Sequence, residues 1–333
     1  MSWELLLTKI LGAAFVVAVF AGAAFLLRFL YGPKGKFREP EWDAWNEAAG
    51  TTPWGKQAQS EGKQAHAAEA ALREAFLRYA ESFSSGESRD DAPLRLKVEH
   101  TFRVLRHAEE IAAQEPDFAD TGAARALRLA ALFHDVGRFE QLQRYHTFAD
   151  DLSCNHALLG VRVLREQNFL RGEDRKTRAV VIAAMAAHNR VTVSDTLPAP
   201  LRQVLRGLRD ADKLDILRIM AEHLGPGAQG DGTVLLHLRD EPLLYSSAVL
   251  RAFEEGRTAL YRDMRYTNDF RILLCTWLHD LHFSVARRIL KREGWLDSVV
   301  DGLQALPDLR ERLHAFVHDF LAAAEAPGPD ARQ

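Results

Sequence analysis

The sequence predicts an all-α protein, a helical bundle preceded by one N-terminal transmembrane helix. Three observations carry this expectation. An uncharged apolar stretch, Ile10 to Leu27, stands near the start; apolar residues then recur every three or four positions almost to the end; and no run of alternating β-branched residues interrupts them.

The apolar stretch comes first. With Leu5–Leu7 and Phe29–Leu30 it is long enough to cross a hydrocarbon core of roughly 30 Å as a helix. Trp3, Phe29 and Tyr31 flank it as interfacial aromatics do. A cleaved signal peptide is the alternative, with Ala21-Gly22-Ala23 as its site, but the chain stays mostly apolar from Phe25 to Leu30 beyond it. Arg28, Lys34, Lys36 and Arg38 follow the span against Lys9 before it, so everything after Tyr31 is expected in the cytoplasm. The expected organisation is an anchor at 5–30, a juxtamembrane linker rich in Pro, Gly and Trp at 31–63, and one helical domain at 64–325.

Composition narrows the function classes. A formal net charge of -3 gives no overall attraction to nucleic acid, and none is expected as a partner. Cys154 and Cys275 form no CxxC pair, which excludes a disulfide scaffold and a zinc finger. The 13 histidines are the unusual feature, because neutral imidazole is a common ligand of transition metals.

The helices deliver those histidines one after another. Leu94–Ile111 is amphipathic, with His100 bordering the stripe of Leu94, Val98, Thr101, Leu105 and Ala108, and with His107 as a packing or surface residue. Leu127–Phe133 is nearly all apolar and delivers His134-Asp135 at its end, where Gly137 suits a helix C-terminus. His156 falls in the first turn of Asn155–Gln167, for which Ser153 is the expected N-cap. His188 closes Thr177–Ala187, beside Asn189. Asp212 lies on the apolar stripe of Leu201–Ile219, where an unpaired charge would cost several kcal/mol, so it needs a cation. Asp210 and Asp215 flank it, and for either a helix-face charge with a surface partner is the alternative reading. Pro and Gly clusters at Ser84–Pro93, Pro198–Pro200, Gly225–Gly232 and Pro327–Pro329 mark loops. Pro242–Ala324 reads as helical packing around the preceding helices, or as a dimer face. His279-Asp280 and His318-Asp319, within it, read as structural repeats of the dipeptide.

The order H…HD…H…H…D resembles the HD-domain superfamily of metal-dependent phosphohydrolases, over about Ala71 to Leu290. The resemblance rests on Leu96–Thr101, on His134 to Gln141, on Thr147–Asp150 through His156 to Gly160, on Ala187-His188-Asn189 and on Arg209–Asp215. It implies an HD-domain helical bundle in which His100, His134, Asp135 and Asp212 ligate a first metal. Asp135, the catalytic carboxylate, bridges to a second metal completed by His156 and His188. The implied cofactors are two divalent transition metal ions, Mn or Fe foremost, with Co, Ni, Zn or Mg as alternatives. Such a pair activates water and neutralises charge on a phosphoester.

Departures from the family's subtypes narrow the substrate. Asn189-Arg190-Val191 replaces the glycine-rich HHExxDGxGYP block of cyclic-dinucleotide hydrolases of the HD-GYP type. Arg138 and Phe139 stand where the alarmone hydrolases carry the two acids of HDxxED. Arg138, Asn189 and Lys213 are expected to bind a small phosphate-bearing substrate, a nucleotide or another phosphoester. Charge balance for Glu140 and Asp215 is the alternative role of the two cations. The implied place is the bacterial inner membrane, single-pass, with the catalytic domain cytoplasmic; a homodimer stays open. A di-iron oxygenase on the same ligands, and a non-catalytic nucleotide-binding membrane receptor, are the competing functions.

Overall fold

Every helix expected between residues 94 and 219 is present. The computed structural model describes residues 62–86, 91–228, 230 and 234–323, so the expected anchor and all but the last two residues of the linker lie outside the described residues. Among the described residues no helix is long and apolar enough to cross a membrane.

The helices are α1 (Gly62–Glu81), α2 (Ala92–Gln114), α3 (Thr121–Phe133), α4 (Gly137–Tyr145), α5 (His156–Glu166) and α6 (Arg175–Ala187). They continue with α7 (Ala199–Leu224), α8 (Ser247–Glu254), α9 (Thr267–Thr276), α10 (Ser284–Glu293), α11 (Trp295–Asp301) and α12 (Pro307–Ala323). No strand forms among the described residues; a single isolated bridge joins Arg239 and Tyr266.

The core is built around α3. Asp120 caps it by accepting from Gly122 N at 2.8 Å, and Leu127, Ala130 and Phe133 leave no surface exposed. Each large apolar side chain buried this way contributes about 1.5–3 kcal/mol. Helices α2, α6 and α7 pack against α3, while α4 pairs with α5 and α5 with α6. The ends of α3 and α6, the start of α5 and the middles of α2 and α7 therefore meet, and these are the places that carry the histidines and Asp212. The C-terminal helices pack as expected, α10 on α2 and α7, α11 on α7, and α12 on α11.

Two local expectations change. The cap of α5 is Asn155, whose side chain accepts from Ala157 N at 3.0 Å and Leu158 N at 3.1 Å; Ser153 instead donates to Ala149 O at 2.7 Å. Gly137 does not close α3 but opens α4, with His134, Asp135 and Val136 forming the turn between them. Its role is close approach: a Cβ there would stand 2.4 Å from His156 O and 2.5 Å from Gly160 N.

Candidate metal centre

The structure brings together all six residues expected to hold metal. His100, His134 and Asp212 form one group, and Asp135, His156 and His188 another, each with ligand atoms within 4.8 Å of one another. Asp212 Oδ1 lies 3.2 Å from His100 Nε2 and 3.8 Å from His134 Nε2. Asp135 divides its two oxygens between the groups. Its Oδ2 is 3.7 Å from His100 Nε2 and 3.8 Å from His134 Nε2, whereas Oδ1 is 3.4 Å from His156 Nε2 and 4.0 Å from His188 Nε2.

All four imidazoles commit Nδ1 to an oxygen. His134 Nδ1 meets Ala131 O at 2.8 Å and His188 Nδ1 meets Met185 O at 2.7 Å, both carbonyls one turn back on the same helix. His100 Nδ1 meets Asp215 at 2.7 Å, and His156 Nδ1 meets Asp150 at 2.7 Å. With the proton assigned to Nδ1 by these partners, Nε2 is left as the free lone pair, the arrangement found in metal-ligating histidines. The lone pairs then face each other, His100 Nε2 to His134 Nε2 at 3.3 Å and His156 Nε2 to His188 Nε2 at 3.1 Å. Neutral nitrogens so close repel unless a cation lies beside both. The donor set, imidazole and carboxylate, fits a divalent transition metal.

The electrostatics point the same way. Burial, then the neighbouring imidazoles of His156 and His134, beside which a further proton would be repelled, pushes the His188 pKa down to about 3, and burial also lowers that of His134, so both rings are neutral at pH 7. At His100 burial opposes protonation, yet hydrogen bonds to Asp212 and Asp215 outweigh it and raise the pKa. That position attracts positive charge, whether a proton or a metal ion. Burial opposes ionisation of Asp135, but Lys97, His134 and Arg138 hold it well below the usual carboxylate range. Asp212 is likewise lowered, against burial, by His100 and His134.

Several contributors have no role in the sequence reading. Lys97 Nζ donates to Asp135 Oδ2 at 2.8 Å; it stands one turn before His100 on the same face of α2, which is the signal that marks it. Asp215 is no surface charge but fully buried, held to about pKa 2, against burial, by His100, Arg218 and Arg103. Asp150 accepts from His156 and, through Oδ1, from Arg138 Nη1 and Gln141 Nε2, both at 2.9 Å. Arg209 fastens the end of α6, donating to His188 O at 2.8 Å and also to Arg190 O.

The three residues expected to bind substrate separate. Arg138 lies at the centre's margin, Nε 3.5 Å from Asp135 Oδ1, and also donates to Phe148 O and Asp150. Asn189 is exposed beside it, with Nδ2 3.2 Å from both Asp150 Oδ2 and Asn155 Oδ1. Lys213 turns away: its amine donates to Asp280 O at 2.8 Å and to the Asp280 carboxylate, which Arg209 shares. Lys213 is therefore a buried ion-pair residue rather than a phosphate donor, and its partner is Asp280 rather than Asp215. His279, next to Asp280, packs against Phe316 with ring centroids 5.2 Å apart, the structural role expected of that dipeptide.

Residues 98–218, which span the centre from α2 to α7, match the family model described as HD domain. The chain carries an HD domain. No curated protein and no solved structure matches the chain. HD domains form a superfamily of metal-dependent phosphohydrolases, and the His and Asp groups of this HD domain are placed so that they could hold metal.

Proposed function

We propose that the HD domain is a phosphohydrolase that cleaves a nucleotide or another small phosphoester at a binuclear centre. The observation that carries this reading is the division of Asp135, one oxygen toward His100 and His134 and the other toward His156 and His188. His100, His134 and Asp212 would hold one ion, His156 and His188 the other, and Asp135 both. Bound there, a pair of divalent ions supplies a water nucleophile at neutral pH and neutralises phosphoryl charge. The protein's own contribution is to keep Asp135 ionised in a buried site and to hold four imidazoles in one tautomer through Asp215, Asp150 and two carbonyls. Arg138, whose Nε has no hydrogen-bond partner, and Lys97 place two cationic donors beside Asp135 for an anionic substrate. Asn189 offers an exposed amide at the margin.

The test is to supply purified protein with Mn(II) or Fe(II) and a panel of nucleotides and phosphoesters. Metal-dependent release of phosphate or nucleoside product, abolished by chelator, is expected. Oxygen consumption by the iron-loaded protein with no phosphoester cleaved anywhere in the panel would overturn the proposal in favour of oxygenase chemistry.

A separate proposal concerns placement: residues 5–30 anchor the chain in the inner membrane with the HD domain cytoplasmic, on the length of the apolar span and the basic residues after it. Reporter fusions after Arg38 should give cytoplasmic-type activity. A periplasmic signal, or a mature N-terminus near Phe25, would sink it.

A further inference from the structure

Outside the HD match, α11 and α12 set two pairs of side chains face to face. Asp297 and Asp301 stand four residues apart on α11, and His314 and His318 four residues apart on α12, so each pair lies on one helix face. Asp297 Oδ1 is 3.3 Å from His314 Nδ1 and 3.0 Å from His318 Nε2. The other ring nitrogen of His314 lies 2.9 Å from Asp301 Oδ1. One ligand atom each from Asp297, His314 and His318 lies within 4.8 Å of the others.

We propose that Asp297, His314 and His318 form a second, independent metal site for a borderline divalent cation such as Zn(II). Three features of the geometry support it. The nitrogen-to-oxygen separation at His314, 3.3 Å, matches the edge of a tetrahedron built on bonds of roughly 2.0–2.1 Å, about 3.4 Å long, and that at His318, 3.0 Å, reaches it with a shift of a few tenths of an ångström in an exposed side chain. Asp301 accepts from the far nitrogen of His314, the carboxylate–histidine arrangement that fixes the tautomer and orients a ligating ring. The site also opens to solvent, with side chains of His314 and His318 exposed to 25% and 67%, so water completes the coordination of a three-residue set. Two isolated surface ion pairs would need neither the shared Asp297 oxygen nor the backing of Asp301.

The site clasps α12 to α11, and α11 packs on α7, the helix that carries Asp212. Its role is therefore to staple the C-terminal helix to the frame of the HD domain, and it stands whether or not that domain hydrolyses phosphoesters.

The test uses the tag-free full chain, stripped with chelator and titrated with Zn(II), and compares it with the double variant His314→Gln, His318→Gln. The parent should bind one more Zn(II) per chain than the variant, a difference that does not depend on how many ions the HD centre takes. A Co(II) titration should lose one tetrahedral d–d absorption component in the variant. Asp301→Asn keeps all three ligands and should weaken this site alone by about 10–100-fold. Circular dichroism of the chelated proteins verifies that each variant folds, and Asp301→Asn alone decides the matter if the double variant does not. Equal Zn(II) stoichiometry and affinity in the parent and in the folded variants would overturn the proposal.

Discussion

Replacing Asp135 with asparagine is expected to abolish turnover and to empty the HD centre of metal, while His156→Ala and His188→Ala each leave it with one ion or fewer. Asparagine keeps the volume but removes the charge that faces both histidine pairs, with Oδ2 3.7 Å from His100 Nε2 and Oδ1 3.4 Å from His156 Nε2. It also leaves Lys97 Nζ, 2.8 Å from Oδ2, without its counter-charge, so the metal-free variant should lose about 3 kcal/mol of stability. His156→Ala and His188→Ala touch only the half served by Asp135 Oδ1. Turnover in each should fall by roughly three orders of magnitude or more, since an activated nucleophile loses one of two metals. Metal per chain, measured by mass spectrometry with the site between α11 and α12 disabled through His314→Gln and His318→Gln, should be about two in the parent. His279→Ala is the control: it removes a ring packed on Phe316 and should leave metal content unchanged. One ion in the parent, unaffected at His156 or His188, would mean a mononuclear centre.

Gly137→Ala is expected to destabilise the fold by roughly 3 kcal/mol or more, at the upper end of overpacking costs. The new methyl would meet backbone on two sides, His156 O at 2.4 Å and Gly160 N at 2.5 Å, and neither can rotate away. Helices α4 and α5 must separate, and His156, the first residue of α5, moves with its helix. Gly160→Ala, across the same contact, is the informative partner. Its Cβ would find Gly137 N at 3.4 Å and Val136 Cγ1 at 3.5 Å, ordinary contact, and a helix-interior alanine offsets any small loss. That variant should stay within about 1 kcal/mol of the parent. Thermal unfolding of both, followed by circular dichroism, checks the pair. A Gly137→Ala protein that melts with the parent would refute the close-approach argument.

What the sequence makes legible is local. Asp212 stands out because a carboxylate on an apolar stripe is costly, and His134-Asp135 because a core helix ends on it. The signals fade where partners are distant in the chain. Asp215 stays open to a reading as a surface charge, since nothing near it reveals that His100, 115 positions earlier, covers it. Lys213 reads as a phosphate donor for the same reason, its partner Asp280 lying 67 positions later. Gly137 carries the usual mark of a helix end, and only the packing of α4 on α5 discloses that the missing Cβ is the point. Ser153 does not cap because its Oγ is taken by partners distant or upstream, donating to Ala149 O at 2.7 Å and accepting from Gln141 Nε2 at 2.8 Å.

The two carboxylates behind the histidines differ in what they rest on. Asp215 is fully enclosed between α2 and α7, pinned by Arg103 at 2.7 Å and Arg218 at 2.9 Å. Asp150 sits in the short turn Asp150–Leu152, its side chain one-third exposed at 32%, tied to Arg138, Gln141 and the surface amide of Asn189. Anything that bends the 146–155 loop, whether a bound molecule, a neighbouring protein or a substitution, therefore reaches His156 through the Asp150 carboxylate and the Asn155 cap, whereas the carboxylate behind His100 stands outside that loop. One half of the centre takes its orienting carboxylate from a surface loop and the other from the helical frame.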